Sequence, residues 1–121
     1  MSLDTTIVST LDAYTGLTAI TGSRLYPGTL PQEPTLPAIT YRRIDTPRVA
    51  SLDGDDTLIN PRYQFDVYAA DTLTAGSVVG QLRAAMATIS ALAVDQQDDP
   101  SEANDLGRFR IIVDFKLWSN E

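Results

Sequence analysis

The clearest structural signal in this chain is the octapeptide RYQFDVYA at residues 62–69. Within it, the apolar side chains of Tyr63 and Phe65 alternate with the polar side chains of Gln64 and Asp66. An alternation with period two is typical of a β-strand that buries one face, because successive side chains point to opposite sides of a sheet. The octapeptide therefore predicts a strand that covers a core, around which the other elements are expected to be arranged.

Two further segments show the alternation of a strand. In residues 38–44, Ile39 and Tyr41 point one way, while Thr40 and Arg42 point the other. Residues 108–118 form a second such segment, in which the side chains at odd-numbered positions are all apolar and those at even-numbered positions are mostly charged. The apolar side of this last strand must cover the core, and its charged side is expected to face solvent or a partner.

The segment between the first two strands predicts a projecting hairpin. The run Asp53-Gly54-Asp55-Asp56 is a strong turn signal, so residues 38–44 and 62–70 are expected to pair in antiparallel fashion. The connecting loop, residues 45–61, is long, and loops of that length in a compact domain are often functional.

Two segments have helical spacing. An apolar stripe runs along residues 2–14, and Gly16 is expected to end that helix, while residues 72–91 carry a wider apolar face. Between the first helix and the hairpin, the prolines of residues 23–37 predict an extended crossing segment that contains a short strand-like piece at residues 24–26.

The resulting order is helix, short strand, two strands, helix and strand, which predicts one α+β domain over residues 1–121. We expect a two-layer sandwich, with a small, mainly antiparallel sheet of about four strands and two helices packed on one face. Residues 92–107 are expected to form an acidic connection between the second helix and the last strand.

Composition excludes most enzyme chemistry. The 121 residues include no cysteine and no histidine, which removes thiol nucleophiles, thiolate metal sites and the commonest general base. The formal net charge is −7, so ordinary electrostatic DNA binding is not expected. No stretch has the length of a membrane helix and no targeting segment is recognised, so we expect a protein made and used in a cytoplasm.

The remaining candidates for chemistry have simpler interpretations. A calcium loop starting at Asp53 would need a glutamate at its twelfth position, which is Gln64 in a predicted strand. Asp66 and Asp114 resemble the carboxylate pair of a hydrolase, but acids on the polar face of strands usually pair with a cross-strand base, here Arg62 or Arg110. We therefore predict no catalytic residue, no metal and no cofactor.

Charge is distributed unevenly along the chain. Four arginines lie between residues 42 and 62, whereas residues 84–107 contain no base and five acids. The acids have two interpretations, a solvated loop or one half of a complementary-charge interface. On the second interpretation, the candidate interface residues are Arg42, Arg43, Arg48, Asp53, Asp55, Asp56, Arg62, Asp98, Asp99 and Glu102.

Several segments, taken in order, resemble the phage tail-completion family. They are GSRLYP at residues 22–27, PQ at 31–32, LPAITY at 36–41, LDG at 52–54, RYQFDVYA at 62–69 and the helix from Ala75 to Met86. The resemblance covers most of the chain, although the acidic segment adds little to it.

Membership of that family implies a structural protein of the virion tail, assembled in the cytoplasm of a bacterial host and without catalytic residues. It implies a homo-oligomeric ring, usually of six subunits, between the tail tube protein and the head-tail connector or stopper protein. DNA would pass through such a ring without specific binding. The particle is either a true virus or a domesticated gene-transfer device.

A second hypothesis comes from another class of protein. The size and order of elements also suit a small-molecule-binding or regulatory α+β domain. The projecting loop at residues 45–61 favours assembly, because a ligand-binding domain would more often show a glycine-rich or basic pocket.

Overall fold

Residues 62–69 form the middle strand of a five-stranded sheet in the computed structural model, which describes residues 3–32, 35–48, 58–99 and 109–119. Three helices and five strands follow one another along the chain: α1 (Leu3–Ala13), α2 (Thr15–Thr21), β1 (Leu25–Pro27), β2 (Ala38–Asp45), β3 (Arg62–Ala69), α3 (Thr72–Ala87), β4 (Leu92–Asp99) and β5 (Phe109–Lys116). The predicted α+β class is confirmed.

The strands lie in the order β1-β2-β3-β5-β4, so β3 has a long neighbour on each side. All neighbouring pairs are antiparallel except β1 and β2, which are parallel. Phe65 in β3 is in register with Tyr41 in β2 and with Val113 in β5. The predicted hairpin pairing is confirmed from Ala38, opposite Tyr68, to the base of the loop.

The helices cover one face of the sheet. Phe65 and Phe115 are buried beneath them and meet edge to face, with ring centroids 5.6 Å apart. Helix α3 supplies the facing side chains, among them Val78 and Leu82, both fully buried. Each such side chain contributes about 1.5–3 kcal/mol through its removal from water.

The N-terminal region contains two helices where one was predicted. Tyr14 has φ −85° and ψ 102°, which interrupts the helix after Ala13, and α2 then runs from Thr15 to Thr21. Gly16 lies inside α2 and does not end a helix. A Cβ atom at that position would meet the terminal amide of Gln81 on α3, so a larger residue there would require that side chain to move.

The acidic segment is a strand in its first half, so the prediction of a connection was wrong for residues 92–99. Strand β4 pairs with β5 along its length, with an irregularity in register between Ala93 and Asp95. Aspartate and glutamine are poor strand formers, and the pairing with β5 outweighs this local preference. The sheet therefore has five strands and not about four, and three helices are described where two were predicted.

The base of the long hairpin is held by single bridges, Arg48 to Ile59 and Ile59 to Ser119. The tip, with Asp53, Asp55 and Asp56, lies outside the described residues. Among the residues that the structure describes, no helix has the length and apolar content that crossing a membrane requires.

Candidate functional site

The polar face of the sheet is the side opposite the helices, and we call it the open face. Two ion pairs cross it between β3 and β5. The Nη2 atom of Arg62 lies 2.6 Å from Oδ2 of Asp114, and Nη2 of Arg110 lies 2.7 Å from Oδ2 of Asp66. The two carboxylate side chains are only 12% and 13% exposed.

These pairs are diagonal cross-strand contacts of the kind that stabilise a sheet. The hydrogen bond to Asp114, together with its charge, raises the pKa of Arg62. Asp66 and Asp114 are thus each held by a guanidinium group, as the pairing interpretation of the sequence predicted. Across the described ranges, no three potential metal ligands come together.

A groove lies on the open face, beside β2. One wall is the segment Gly28–Gln32, and the floor includes Thr40, Arg42 and Gln64. Gly28 has φ +80°, a conformation that favours glycine, and its amide donates to the carbonyl oxygen of Tyr41 at 2.9 Å. This turn holds the wall above the sheet and leaves a cavity of about 470 Å³.

Arg42 is the exposed cation of this groove. Its Nε and Nη2 atoms both donate to Oε1 of Gln64, at 3.0 and 2.7 Å. This partner is neutral, and no ion pair of Arg42 occurs within the described part of the chain. A cation held in one orientation without a matching acid is suited to a contact with a separate molecule.

Arg43 has a different role, because the alternation of the strand turns it toward the helices. It donates to the hydroxyl of Tyr63 at 2.7 Å, lies 3.4 Å from a carboxylate oxygen of Asp4, and its guanidinium stacks on the Tyr63 ring at 5.2 Å. The Tyr63 hydroxyl also donates to Asp4. Burial is the main reason why the pKa of Tyr63 is raised.

The acidic edge lies on the other side of the sheet. Asp95 and Asp98 in β4 are exposed, and neither forms an ion pair with another described residue. Exposed apolar side chains accompany them, with Leu92 68%, Val94 42% and Trp118 61% exposed. Strands β3 and β5 separate this edge from Arg42.

The structure thus divides the residues predicted to lie at an interface. Arg42 and Asp98 are exposed on opposite flanks, Arg43 and Arg62 form contacts within the chain, and Arg48 lies exposed at the hairpin base. Asp53, Asp55, Asp56, Glu102 and the side chain of Asp99 lie outside the described residues. The groove wall is not predictable from the sequence, because nothing in a proline-rich segment shows which face of the sheet it will cross.

The structure is thus a small α+β domain whose strand carboxylates Asp66 and Asp114 are ion-paired within the chain, with an exposed arginine on β2 and exposed acids on β4. The family model described as tail completion protein gp17 matches residues 5–119, and the chain belongs to this family. The protein is therefore a structural component of a phage-type virion tail, as the resemblance of the sequence implied. The family is one of structural proteins, in keeping with the prediction of no enzyme activity.

The fold is also found among solved structures. A chain of the "Virion of native gene transfer agent (GTA) particle" superposes with a TM-score of 0.78, covering 97% of this chain and 93% of that chain, at 14% sequence identity. The comparison with curated proteins gave no match.

Proposed function

We propose that copies of this chain form a closed ring that completes the head-proximal end of the tail. The ring is expected to be a hexamer, as is usual for the family. One side of the ring would contact the tail tube protein, and the other the head-tail connector or stopper protein. The observation that carries the proposal is the opposite charge of the two flanks, with Arg42 on the β2 side and Asp95 and Asp98 on the β4 edge.

A ring closes when one patch of a subunit meets a different patch on the next copy. Opposite charges on opposite flanks provide such a pair of patches, since each copy offers both halves of the contact. Two flanks of like charge would instead repel each other and oppose this contact.

The charges are expected to determine how neighbouring subunits are oriented more than how tightly they bind. An exposed ion pair contributes about 0–1 kcal/mol, so the flanks chiefly select the register and exclude wrong partners. Affinity must come from apolar contacts, for which Leu92, Val94 and Trp118 are available. Tryptophan is among the residues that most often dominate binding energy at interfaces.

The net charge of −7 suits a channel for DNA. Acidic side chains that face the lumen would repel the phosphate backbone, so DNA would pass without being retained. Specific DNA recognition is not part of the proposal.

A small-molecule-binding function is supported by one observation. The groove volume of about 470 Å³ is within the range of about 300–1,000 Å³ that is common for ligand sites. Such sites are mostly apolar, whereas this groove is lined largely by polar side chains, so we favour assembly.

The test is assembly of the purified protein. Mass photometry over a concentration series, followed by negative-stain imaging of the same samples, is expected to show a discrete oligomer with a central hole. In cells, loss of the gene is expected to leave unattached heads and tails, and restoration of the gene to rejoin them. A chain that stays monomeric at every concentration and whose loss leaves particles complete would contradict the proposal.

A further inference from the structure

We infer that the groove beside β2 receives the acidic edge strand β4 of a second copy of this chain. The inference rests on the proposed ring and specifies which surfaces meet within it. It assigns a receptor role to the groove and a ligand role to the segment around Asp95–Asp98.

The charge of the groove indicates the chemistry of its occupant. Asp66, on the groove floor, is neutralised by Arg110 at 2.7 Å. Arg42 is bonded only to the neutral amide of Gln64 among the contacts described. The lining therefore carries one positive charge without a matching acid. A guanidinium group binds a carboxylate more strongly than any neutral group, often through two parallel hydrogen bonds.

The other lining groups indicate a polar, extended occupant. Thr40, Gln64 and Tyr68 bring hydroxyl and amide groups to the floor of the groove. In strand β4, Asp95 and Gln97 lie on the open face of the sheet, opposite Asp114 and Ile112 of β5, and both side chains are exposed. A carboxylate accepts hydrogen bonds and an amide side chain both donates and accepts them, so Asp95 and Gln97 together match a cationic, hydroxyl- and amide-lined groove.

The occupant must come from another molecule. Gln64 on β3 and Gln97 on β4 are separated by β5, which places their backbones two strand spacings, or about 10 Å, apart. The sheet holds β4 at its own edge by pairing with β5 from Leu92 to Asp99. A chain therefore cannot place its own β4 in its own groove, whereas the next copy in a ring can.

Cysteine cross-linking tests the contact directly, because the chain has no native cysteine. We would combine Gln64→Cys and Gln97→Cys in one chain and treat it with a mild oxidant. A disulfide within the chain is excluded, since Cα atoms more than about 7 Å apart cannot be bridged. The expected product is a ladder of covalent oligomers that ends at the closed ring.

The matched control replaces Gln97→Cys with Leu73→Cys. Leu73 is 85% exposed on α3, which covers the opposite face of the sheet from the groove. The control is expected to give no ladder under the same conditions. If the Gln64–Gln97 pair cross-links no better than this control, the inference is overturned.

Charge reversal gives an independent result. Arg42→Glu alone, or Asp95→Lys alone, is expected to weaken self-association by roughly tenfold or more, and the combined variant is expected to recover most of the loss. Arg83→Glu, a reversal on the exposed side of α3, is expected to have little effect. Equal losses in all variants without recovery would contradict the inference.

The outcomes separate this inference from the proposed function. Rings that form normally, but with no Gln64–Gln97 cross-link and no effect of Arg42→Glu, would leave the ring intact and remove the groove contact. Absence of any ring, together with complete particles when the gene is lost, would remove the proposed function itself. A small molecule that saturates the groove of the monomer would overturn the inference in favour of ligand binding.

Discussion

The hydroxyl of Tyr63 links three parts of the chain that lie far apart in sequence. It donates to Asp4 at the start of α1 and accepts from Arg43 in β2, which in turn reaches Thr46 at the hairpin base. Tyr63 itself is fully buried. This cluster fixes the first helix and the hairpin base to the sheet.

Removing only that hydroxyl should be measurable. Tyr63→Phe is expected to lower the free energy of unfolding by about 1–3 kcal/mol, because the hydroxyl loses its hydrogen bond to Asp4 and the two that it accepts from Arg43, while the ring stays in place. The change in the free energy of unfolding would be measured by urea denaturation, monitored by circular dichroism. Tyr41→Phe is the control, since Tyr41 packs against Phe65 without a described hydrogen bond of its hydroxyl, and a change below about 0.5 kcal/mol is expected there.

The neighbouring arginines should respond differently to the same substitution. Arg43→Glu is expected to destabilise the monomer by about 1–3 kcal/mol, because it places an acid beside Asp4 and breaks the bonds to Tyr63. Arg42→Glu should leave stability within about 0.5 kcal/mol and act on assembly instead. Thermal unfolding of both variants, with mass photometry on each, checks this. The opposite ranking of the two stabilities would refute the separate roles.

The sequence predicted on which face of a strand each side chain lies, but it did not predict all of the contacts between side chains. Alternation in β2 places Arg42 and Arg43 on opposite sides of the strand, and the structure confirms this. The pairing of Asp66 and Asp114 with cross-strand bases also followed from strand alternation. The contact of Asp4 with Tyr63 spans 59 residues and depends on where α1 packs, which local pattern does not determine.

Helix α3 begins at a side-chain cap whose strength should depend on pH. The carboxylate of Asp71 accepts from the amide of Thr74 at 2.7 Å, and this bond lowers the pKa of Asp71 below its ordinary value of 3.8. A lowered pKa in the folded state means that the stabilisation is present above the unfolded pKa and is lost as pH falls through the folded one.

The difference in unfolding free energy between the wild type and Asp71→Ala should therefore be constant above about pH 5 and shrink below it. Asp71→Asn is the matched control, because asparagine also caps helices but does not titrate. Its difference from Asp71→Ala should not change with pH. Urea unfolding at a series of pH values would measure both. A constant difference between the wild type and Asp71→Ala down to pH 2 would exclude the cap as its source.

The hairpin tip is predicted to contact a neighbouring subunit. Deleting residues 50–57 is expected to leave the domain folded, because the pairing of β2 with β3 lies outside the deletion and loop closure depends only weakly on length. Assembly should be lost if the tip reaches a neighbour. Circular dichroism and mass photometry would test this, with a glycine–serine loop of equal length as the control. A shortened protein that still completes tails would make the tip dispensable.

Helices and strands with a clear periodicity of apolar residues could be predicted from the sequence. Those that depend on pairing or packing with other elements could not. The hydrophobic alternation of β3 and β5 and the apolar face of α3 predicted the centre of the fold. Strand β4 has an acidic, glutamine-rich sequence, so only its pairing with β5 makes it a strand. The sequence does not predict helix α2, because a glycine at position 16 is typical of a helix end, whereas Gly16 lies inside α2.

The whole molecule combines a stable core with two flanks of opposite charge. The core lies between the helices and one face of the sheet, and the open face is left with ion pairs and the groove. The sequence predicted the family and the separation of charge along the chain. It could not show that the acids lie along a sheet edge, since that follows from the strand order β1-β2-β3-β5-β4.

The most direct measurement for the proposed function is a cryo-electron microscopy map of the head–tail junction of the particle that contains this chain. The proposal predicts a closed ring of this domain between the last ring of the tail tube and the connector, with β4 of each copy facing the β2 side of the next. A map that places the protein elsewhere in the particle, or that shows a single copy or an open arrangement at the junction, would contradict it.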